Sequence, residues 1–375
     1  VEGAYQNGDM VDVVSNKGRY LGTGWVNDHS KIRVRIISRN ANDTFDEAFF
    51  RRRVCYALNY RKTVMGPVDY RCCRLIFGEA DQFPGLTVDR FENILVTQVL
   101  SLGMERRKDW VYRALVELLR EDDEQIDAIY ERNDVAIRTL EGLEQGKGFY
   151  QMEGLKTDLS GHVTITENGI KYDVDYIEGQ KTGFFLDQKY NRQAAAKLAR
   201  GRRVLDCFTH TGAFALNAAA AGAEHVTAVD VSAFALELAA ENGKRNGLTN
   251  LDYKCADVFD LLTEMAKEKK CDYDYIILDP PAFTKSRATA KNAYHGYKEI
   301  NRKAMRLLPR GGYLATCSCS HFMTDEMFRK MLQEAALDAG VTLRQIEARQ
   351  QAPDHPILPE VPETDYLKFY LLQVV

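Results

Sequence analysis

Asp206, Gly212, Asp230, Asp257 and Asp279 stand at intervals that suit the capture of a nucleoside-like ligand. Each carboxylate lies near the end of a short β-rich run (203–208, 225–230, 252–256 and 275–278) or just beyond it, so the four would line one sheet edge. Open α/β sheets bind their ligands at that edge. Gly212 closes the tight turn 209–212 ahead of 213–223, an Ala-rich helix former. A turn of this kind presents backbone N–H groups and a helix N-terminus to a ligand. Asp230, 18 residues beyond Gly212, is placed to accept bonds from both hydroxyls of a ribose. Asp257, beside Val258 and Phe259, can take an adenine amino group while apolar neighbours sandwich the ring. The run Asp279, Pro280, Pro281, Ala282, Phe283 follows the fourth strand; consecutive prolines cannot continue a central strand, so they fix a rigid edge beside which a planar substrate can lie. The turn holds one glycine rather than Gly-x-Gly-x-x-Gly, which gives a pyrophosphate no close approach. That disfavours NAD and favours S-adenosylmethionine, which carries no phosphate. Taken singly, each acid reads as a helix cap or turn residue; the ordered set carries the inference.

The elements that must hold these residues follow from the pattern. From about Gly179 onward strand and helix alternate regularly, which predicts an α/β domain with a doubly wound, mostly parallel sheet over 179–375. Residues 67–178 mix strands (94–100, 128–131, 163–166, 171–175) with an amphipathic helix at 104–119, a small α+β unit. Residues 1–66 alternate apolar and polar positions between Gly-rich turns and predict a small all-β unit, expected to lack part of its first strand because the segment opens abruptly on Val1. With 375 residues, 45% of them apolar and 28% charged, the chain is neither disordered nor fibrous. No apolar run approaches the ~18 residues needed to span a bilayer. Residues 213–223 are short enough for a core helix. The eight cysteines include no Cys-x-x-Cys pair, so a zinc ribbon or thioredoxin motif is disfavoured and no metal is expected. Without a secretory segment, a reduced cytoplasmic chain is the expectation.

Net charge is -4, yet the charge is unevenly spread. Residues 1–62 hold eleven Lys and Arg against seven Asp and Glu, including the run Arg51, Arg52, Arg53. A second island, 284–310, holds eight basic residues, among them Lys285, Arg287 and Lys298, against the single acid Glu299. One island alone reads as a solvated face; two in separate segments favour a polyanion partner.

The motifs VLDCFTHTGAF, VTAVDVS, ADVF and LDPPAF resemble the successive motifs of class I S-adenosylmethionine-dependent methyltransferases. More narrowly, KTGFFLDQ (181–188), GYKEIN (296–301), TCSCS (316–320) and PDHP (353–356) resemble the bacterial large-subunit ribosomal RNA cytosine-C5 methyltransferases that carry an N-terminal PUA domain. The resemblance spans nearly the whole chain and implies the order PUA barrel, small α+β domain, Rossmann-like methyltransferase. It implies cofactor contacts from Gln188, Asp206, Phe208, Thr209, Gly212, Phe214, Asp230, Val231, Asp257, Val258, Asp279 and Pro280. Substrate contacts would come from Pro281, Phe283, Lys285, Arg287 and Lys298, and a remote grip on ribosomal RNA from Arg51, Arg52 and Arg53. A homodimer is left open, and no membrane partner is expected.

The implied chemistry needs a cysteine, because carbon 5 of cytosine is a poor nucleophile. A thiolate adds to carbon 6, carbon 5 becomes enamine-like and attacks the sulfonium methyl, and a base then removes the carbon 5 proton as the thiol is eliminated. Cys319 matches the family's nucleophile better than Cys317, although a period-2 strand over 313–319 would put both on one face. Two small core residues on a buried strand are the plainer reading. The second cysteine of eukaryotic-type RNA cytosine-C5 enzymes has no counterpart at Pro281 or Ala282, so Asp279 is the candidate base on position alone. Phe283 would stack on the target base, Tyr297 and Lys298 would order the loop over the pocket, and His355 matches a family position without an assigned role. Two other classes stay open: a purine N-methyltransferase acting at guanine N7 without a covalent adduct, and a non-catalytic RNA-binding or ribosome assembly factor.

Overall fold

The computed structural model describes residues 3–268, 271–284 and 286–375, with the side chain of Arg287 outside the description. The chain divides into two compact units. The first comprises residues up to Ile165, Asp173–Leu186 and Pro353–Thr364; the second comprises Thr166–Tyr172, Asp187–Ala352 and Asp365–Val375.

The first unit opens with an antiparallel three-stranded sheet, β1 (Met10–Val14), β2 (Tyr20–Val26) and β3 (Val34–Ser38). An 18-residue helix follows, α1 (Glu47–Val64), so 1–66 is not all-β as its alternating start suggests. Asp46 caps the helix by accepting the Phe49 N–H, and Phe49, Phe50, Val54, Ala57, Leu58 and Arg61 fall on one buried face at helical spacing. Arg61 is fully buried and forked onto Asp81, with a 2.7 Å bond from Nη2 to Oδ2. A five-stranded mixed sheet comes next: β4 (Cys72–Phe77), β5 (Leu86–Phe91) and β6 (Ile94–Val99), then short α2 (Leu102–Glu105), α3 (Lys108–Glu121), β7 (Ala128–Asn133) and β8 (Gly146–Phe149). The single helix expected over 104–119 is therefore two. In α3 the buried Val111, Tyr112, Leu115, Val116 and Leu119 form the apolar stripe. The PDHP segment belongs to this unit. Asp354 accepts the Arg74 N–H at 2.9 Å, and His355 is buried with Nδ1 2.9 Å from Asp354 and its ring 5.3 Å from Phe77. His355 thus has a packing role.

The hairpin β9 (His162–Glu167) and β10 (Ile170–Asp175) is divided between the units in sequence. Its turn, Asn168 and Gly169, has φ of 54° and 80°, the left-handed pair that a two-residue hairpin requires. The second unit continues through α4 (Lys189–Ala196), β11 (Arg203–Cys207), α5 (Ala213–Ala220), β12 (His225–Asp230), α6 (Ala233–Arg245), β13 (Leu251–Cys255) and α7 (Val258–Glu268). It ends with β14 (Tyr275–Leu278), α8 (Ala290–Leu307), β15 (Tyr313–Ser318), α9 (Asp325–Ala339), β16 (Leu343–Arg349) and β17 (Lys368–Val374). The seven strands run in the order β13-β12-β11-β14-β15-β17-β16. The first five are parallel, and only β17 runs against its neighbours β15 and β16. This is the expected doubly wound α/β sheet. Alternate residues of its central strands feed two separate cores: Leu205, Ile276, Leu278 and Leu314 pack on one face, and Val204, Tyr275, Ile277 and Ala315 on the other. Both faces are covered, which is why these strands read as continuous apolar runs rather than alternating ones.

Candidate active site

The loop after β11 is held in an uncommon shape. Phe208 and His210 have φ of 63° and 51° and Gly212 has φ of 84°, so two non-glycine residues in three adopt the left-handed conformation. Each such residue costs about 1 kcal/mol or more and persists only where its surroundings enforce it. Here Thr209 N–H donates to the Val229 carbonyl at 2.9 Å and His210 N–H to Asp230 Oδ2 at 2.9 Å. Gly212 is required twice over, since a Cβ would add its positive φ penalty and stand 2.7 Å from Leu216 Cδ1 and 2.9 Å from Ala239 Cβ. Under the loop Asp206 is fully buried. Its Oδ2 accepts Thr209 Oγ1 at 2.5 Å, whereas Oδ1 is buried with no hydrogen-bond partner among the described residues. Burial pushes the carboxyl up to about 7, with Asp279 and Asp230 adding to the shift and the Thr209 hydroxyl and the Ala215 backbone N–H opposing it. An unmatched buried carboxylate oxygen is costly unless a donor is supplied, and a ligand ammonium fits it.

The other expected cofactor residues are placed as follows. Asp230 is half-buried and fixed by two backbone donors, His210 N–H on Oδ2 and Ser232 N–H on Oδ1 at 2.9 Å. Val231 beside it is 72% exposed and Phe234 59% exposed, an apolar ledge whose aromatic member the motifs did not point to. An aromatic in the first turn of α6 was the available signal. Asp257 is exposed, with Oδ1 accepting the Asp260 N–H at 3.1 Å, the helix-start role open to any turn acid. Val258 and Phe214 are core residues, the latter stacked on Phe369 at 6.2 Å. Gln188 is buried, donates from Nε2 to Asp279 Oδ1 at 3.0 Å and accepts Asn191 Nδ2 at 2.7 Å. Burial raises the Asp279 carboxyl to about 6, against the lowering effect of Arg192 and of hydrogen bonds from Cys317 and Gln188.

The two cysteines of TCSCS part company. Cys317 is fully buried within β15, and burial raises its thiol well above the usual range, beside Asp279. Cys319 lies one residue past the strand end and is half-buried. Its loop is pinned by Ser320, whose Oγ donates to the Thr284 carbonyl at 3.1 Å, and by Lys368, whose buried Nζ donates to the Ser320 carbonyl at 2.6 Å. Lys368 belongs to none of the motifs. Nothing local marks it; only the antiparallel pairing of β15 with β17 brings it opposite Ser318.

At the substrate edge Pro280 is buried and Pro281 exposed. Phe283 is wedged between Tyr297 (4.5 Å) and Phe259 (5.8 Å), so packing takes up much of its ring. Tyr297 is buried beneath it. Lys298 points to α9, pairing with Glu334 at 3.2 Å and Asp338 at 3.1 Å. Lys303 pairs with Glu299, and Arg306 donates to the Asp338 carbonyl. Part of the second basic island is therefore matched by α9, which no count along the chain reveals. Lys285 and the Arg287 side chain lie outside the described residues. In the first unit Arg51 pairs with Glu121 at 2.7 Å, Arg52 with Asp43 at 3.3 Å, and Arg53 bonds Gln82 while lying over the Phe49 ring.

None of the eight cysteines forms a disulfide. Among the described residues no helix is long and apolar enough to cross a membrane. A family model described as S-adenosylmethionine-dependent methyltransferase matches residues 149–372, and one described as a PUA-like domain matches residues 1–39. The protein named ribosomal RNA large subunit methyltransferase I from Pseudoalteromonas translucida (strain TAC 125) is 41% identical over 369 residues, 98% of this chain and 91% of its own length. Its namesake from Aeromonas salmonicida (strain A449) is 42% identical over 373 residues, 98% of this chain and 91% of its own length. A solved structure from Streptococcus mutans, described as a SAM-dependent methyltransferase, shares the fold with a TM-score of 0.83 at 23% identity, covering 99% of this chain and 93% of the other. At this identity over nearly the full length, the chain belongs to the S-adenosylmethionine-dependent methyltransferases, within the family that carries the name ribosomal RNA large subunit methyltransferase I.

Proposed function

We propose that this enzyme methylates carbon 5 of a cytosine in large-subunit ribosomal RNA, with Cys319 as nucleophile. The name borne by its relatives supports the RNA substrate. The observation that carries the cytosine reading is the contrast between the two cysteines. Cys317 is sealed in the core as a thiol, while Cys319 sits half-buried past the end of β15, the strand paired with the β14 that leads into Asp279, and is tied to Thr284 through Ser320. A nucleophile must reach its substrate, which favours Cys319.

When bound, S-adenosylmethionine supplies an electrophilic methyl group. The unmatched Asp206 Oδ1 would take its ammonium, Asp230 its ribose hydroxyls and Asp257 its adenine, with Val231 and Phe234 beside the ring. The Cys319 thiolate adds to carbon 6, making carbon 5 nucleophilic, and leaves again once the carbon 5 proton is gone. Asp279, with its carboxyl raised to about 6, is ionised at neutral pH yet basic enough to accept that proton. A base inside folded RNA must be swung out to enter such a site, and Pro281 and Phe283 would flank it. The PUA-like segment, the half-buried Arg51 and the exposed Arg52 would hold RNA through its phosphates. The test is digestion and mass spectrometry of large-subunit ribosomal RNA methylated in vitro. The expected product is 5-methylcytidine; a methylated purine, with no 5-methylcytidine, overturns the reading.

A further inference from the structure

We infer that Lys368 is the positioning residue that sets the ionisation of the Cys319 thiol; this rests on the reading of Cys319 as the nucleophile. A free thiol has a pKa of ~8.5 and needs a nearby cation or helix end to be a thiolate at neutral pH. No lysine or arginine lies within eight residues of Cys319 in sequence, and His321, two residues on, is the nearest side chain able to carry a positive charge. The sheet supplies a lysine. Strand β17 runs antiparallel to β15 and pairs Lys368 with Ser318, the last strand residue before Cys319. Lys368 is 5% exposed, which is rare for a lysine. Its Nζ donates to the carbonyls of Ser320 at 2.6 Å and Tyr366 at 2.8 Å, so the amine is fixed against the residue that follows Cys319. Two of the three ammonium protons are used in this way.

Among the described residues, the charged groups that bear on Lys368 are Cys319, Asp365 and Asp325. Both acids have other partners: Asp325 bonds Arg329 at 2.9 Å and the Tyr370 hydroxyl, and Asp365 accepts Gln350 Nε2 at 3.1 Å. Tyr297 and Cys317 also face Cys319, and burial raises both, so both are neutral where the enzyme is assayed and neither supplies charge. Among these described groups Lys368 is the lysine that bears on Cys319. Burial lowers its amine to about 8, close to an ordinary thiol, so one proton can be shared between the two groups. The step balances without any other reactant. The Cys319 S–H bond breaks, the proton forms an N–H bond on the neutral Lys368 amine, and a thiolate and an ammonium result. The same ammonium stabilises the thiolate when it leaves the methylated base.

The test is the rate of Cys319 alkylation by iodoacetamide as a function of pH, read by peptide mass spectrometry on the full chain. Wild type is expected to react with a midpoint below ~8.5. Lys368→Met is expected to raise the midpoint by about one pH unit, so that alkylation at pH 7 slows about tenfold, while Lys368→Arg keeps it near wild type. A wild-type midpoint at or above that of a free thiol overturns the inference whether or not any variant folds. So does a folded Lys368→Met protein with the wild-type midpoint. Because alkylation needs no turnover, this outcome is separate from the fate of the cytosine reading, which is judged by the identity of the methylated nucleoside, and from that of the nucleophile, which is judged by the turnover of Cys319→Ala.

Discussion

Asp206 carries two opposite expectations because its carboxyl is raised to about 7 in the folded protein from ~3.9 in an unfolded chain. A raised carboxyl contributes stability that is fully present below ~4 and is lost as pH climbs through about 7. For a shift of this size the loss is on the order of 4 kcal/mol. Unliganded enzyme should therefore unfold at lower urea concentration at pH 8 than at pH 5, and Asp206→Asn should flatten that slope. S-adenosylmethionine affinity should run the other way, strengthening as pH rises through about 7 and the carboxylate becomes available to the ligand ammonium. Isothermal titration at pH 6 and pH 8 checks this; equal affinities at both would mean that Asp206 does not meet the ammonium. At this scale the sequence told much. The acids on the strand ends were identifiable because the period-2 runs and the turns that end them are local. It could not separate Cys317 from Cys319, since a strand drawn one residue too long puts both on one face, whereas β15 stops at Ser318 and releases Cys319.

At the scale of elements, the loop between β11 and α5 is the most constrained piece of the site. Gly212→Ala would force a Cβ into a left-handed residue and within 2.9 Å of both Leu216 and Ala239. The expected cost is ~1–3 kcal/mol in thermal or urea unfolding, together with weaker S-adenosylmethionine binding. A variant that binds as well as wild type would detach the loop from the ligand. The alternation of strands and helices that defines the methyltransferase sheet was readable along the chain because parallel strands covered on both faces are continuous apolar runs. Helix α1 was not. Its stripe of Phe49, Phe50, Val54, Ala57, Leu58 and Arg61 includes a buried arginine, and the run Arg51, Arg52, Arg53 masks the period. Lys368 was missed for a different reason, because its neighbour Ser318 is 50 residues away and only strand pairing joins them.

Across the whole molecule, charge counted along the chain overstated what is free to meet RNA. Lys298, Lys303 and Arg306 of α8 are occupied by Glu334, Asp338 and Glu299, while Arg51 is held by a surface pair with Glu121 and Arg52 by Asp43 and the Phe49 ring. Such surface pairs are worth about 0–1 kcal/mol, so a phosphate can replace the acid at little cost. Arg51→Glu with Arg52→Glu should weaken RNA binding and lower the slope of log affinity against log salt by about 1 for each phosphate that is no longer neutralised. An unchanged slope would remove these arginines from the RNA surface. The central claim, that a half-buried cysteine at the end of β15 attacks a cytosine of ribosomal RNA, has a direct measurement. Purified Cys319→Ala is compared with wild type for methyl transfer to large-subunit ribosomal RNA, with S-adenosylmethionine binding measured alongside. The account predicts turnover reduced at least about a thousandfold, as expected when a covalent nucleophile is removed, with cofactor affinity retained. Wild-type turnover by the alanine variant would contradict it.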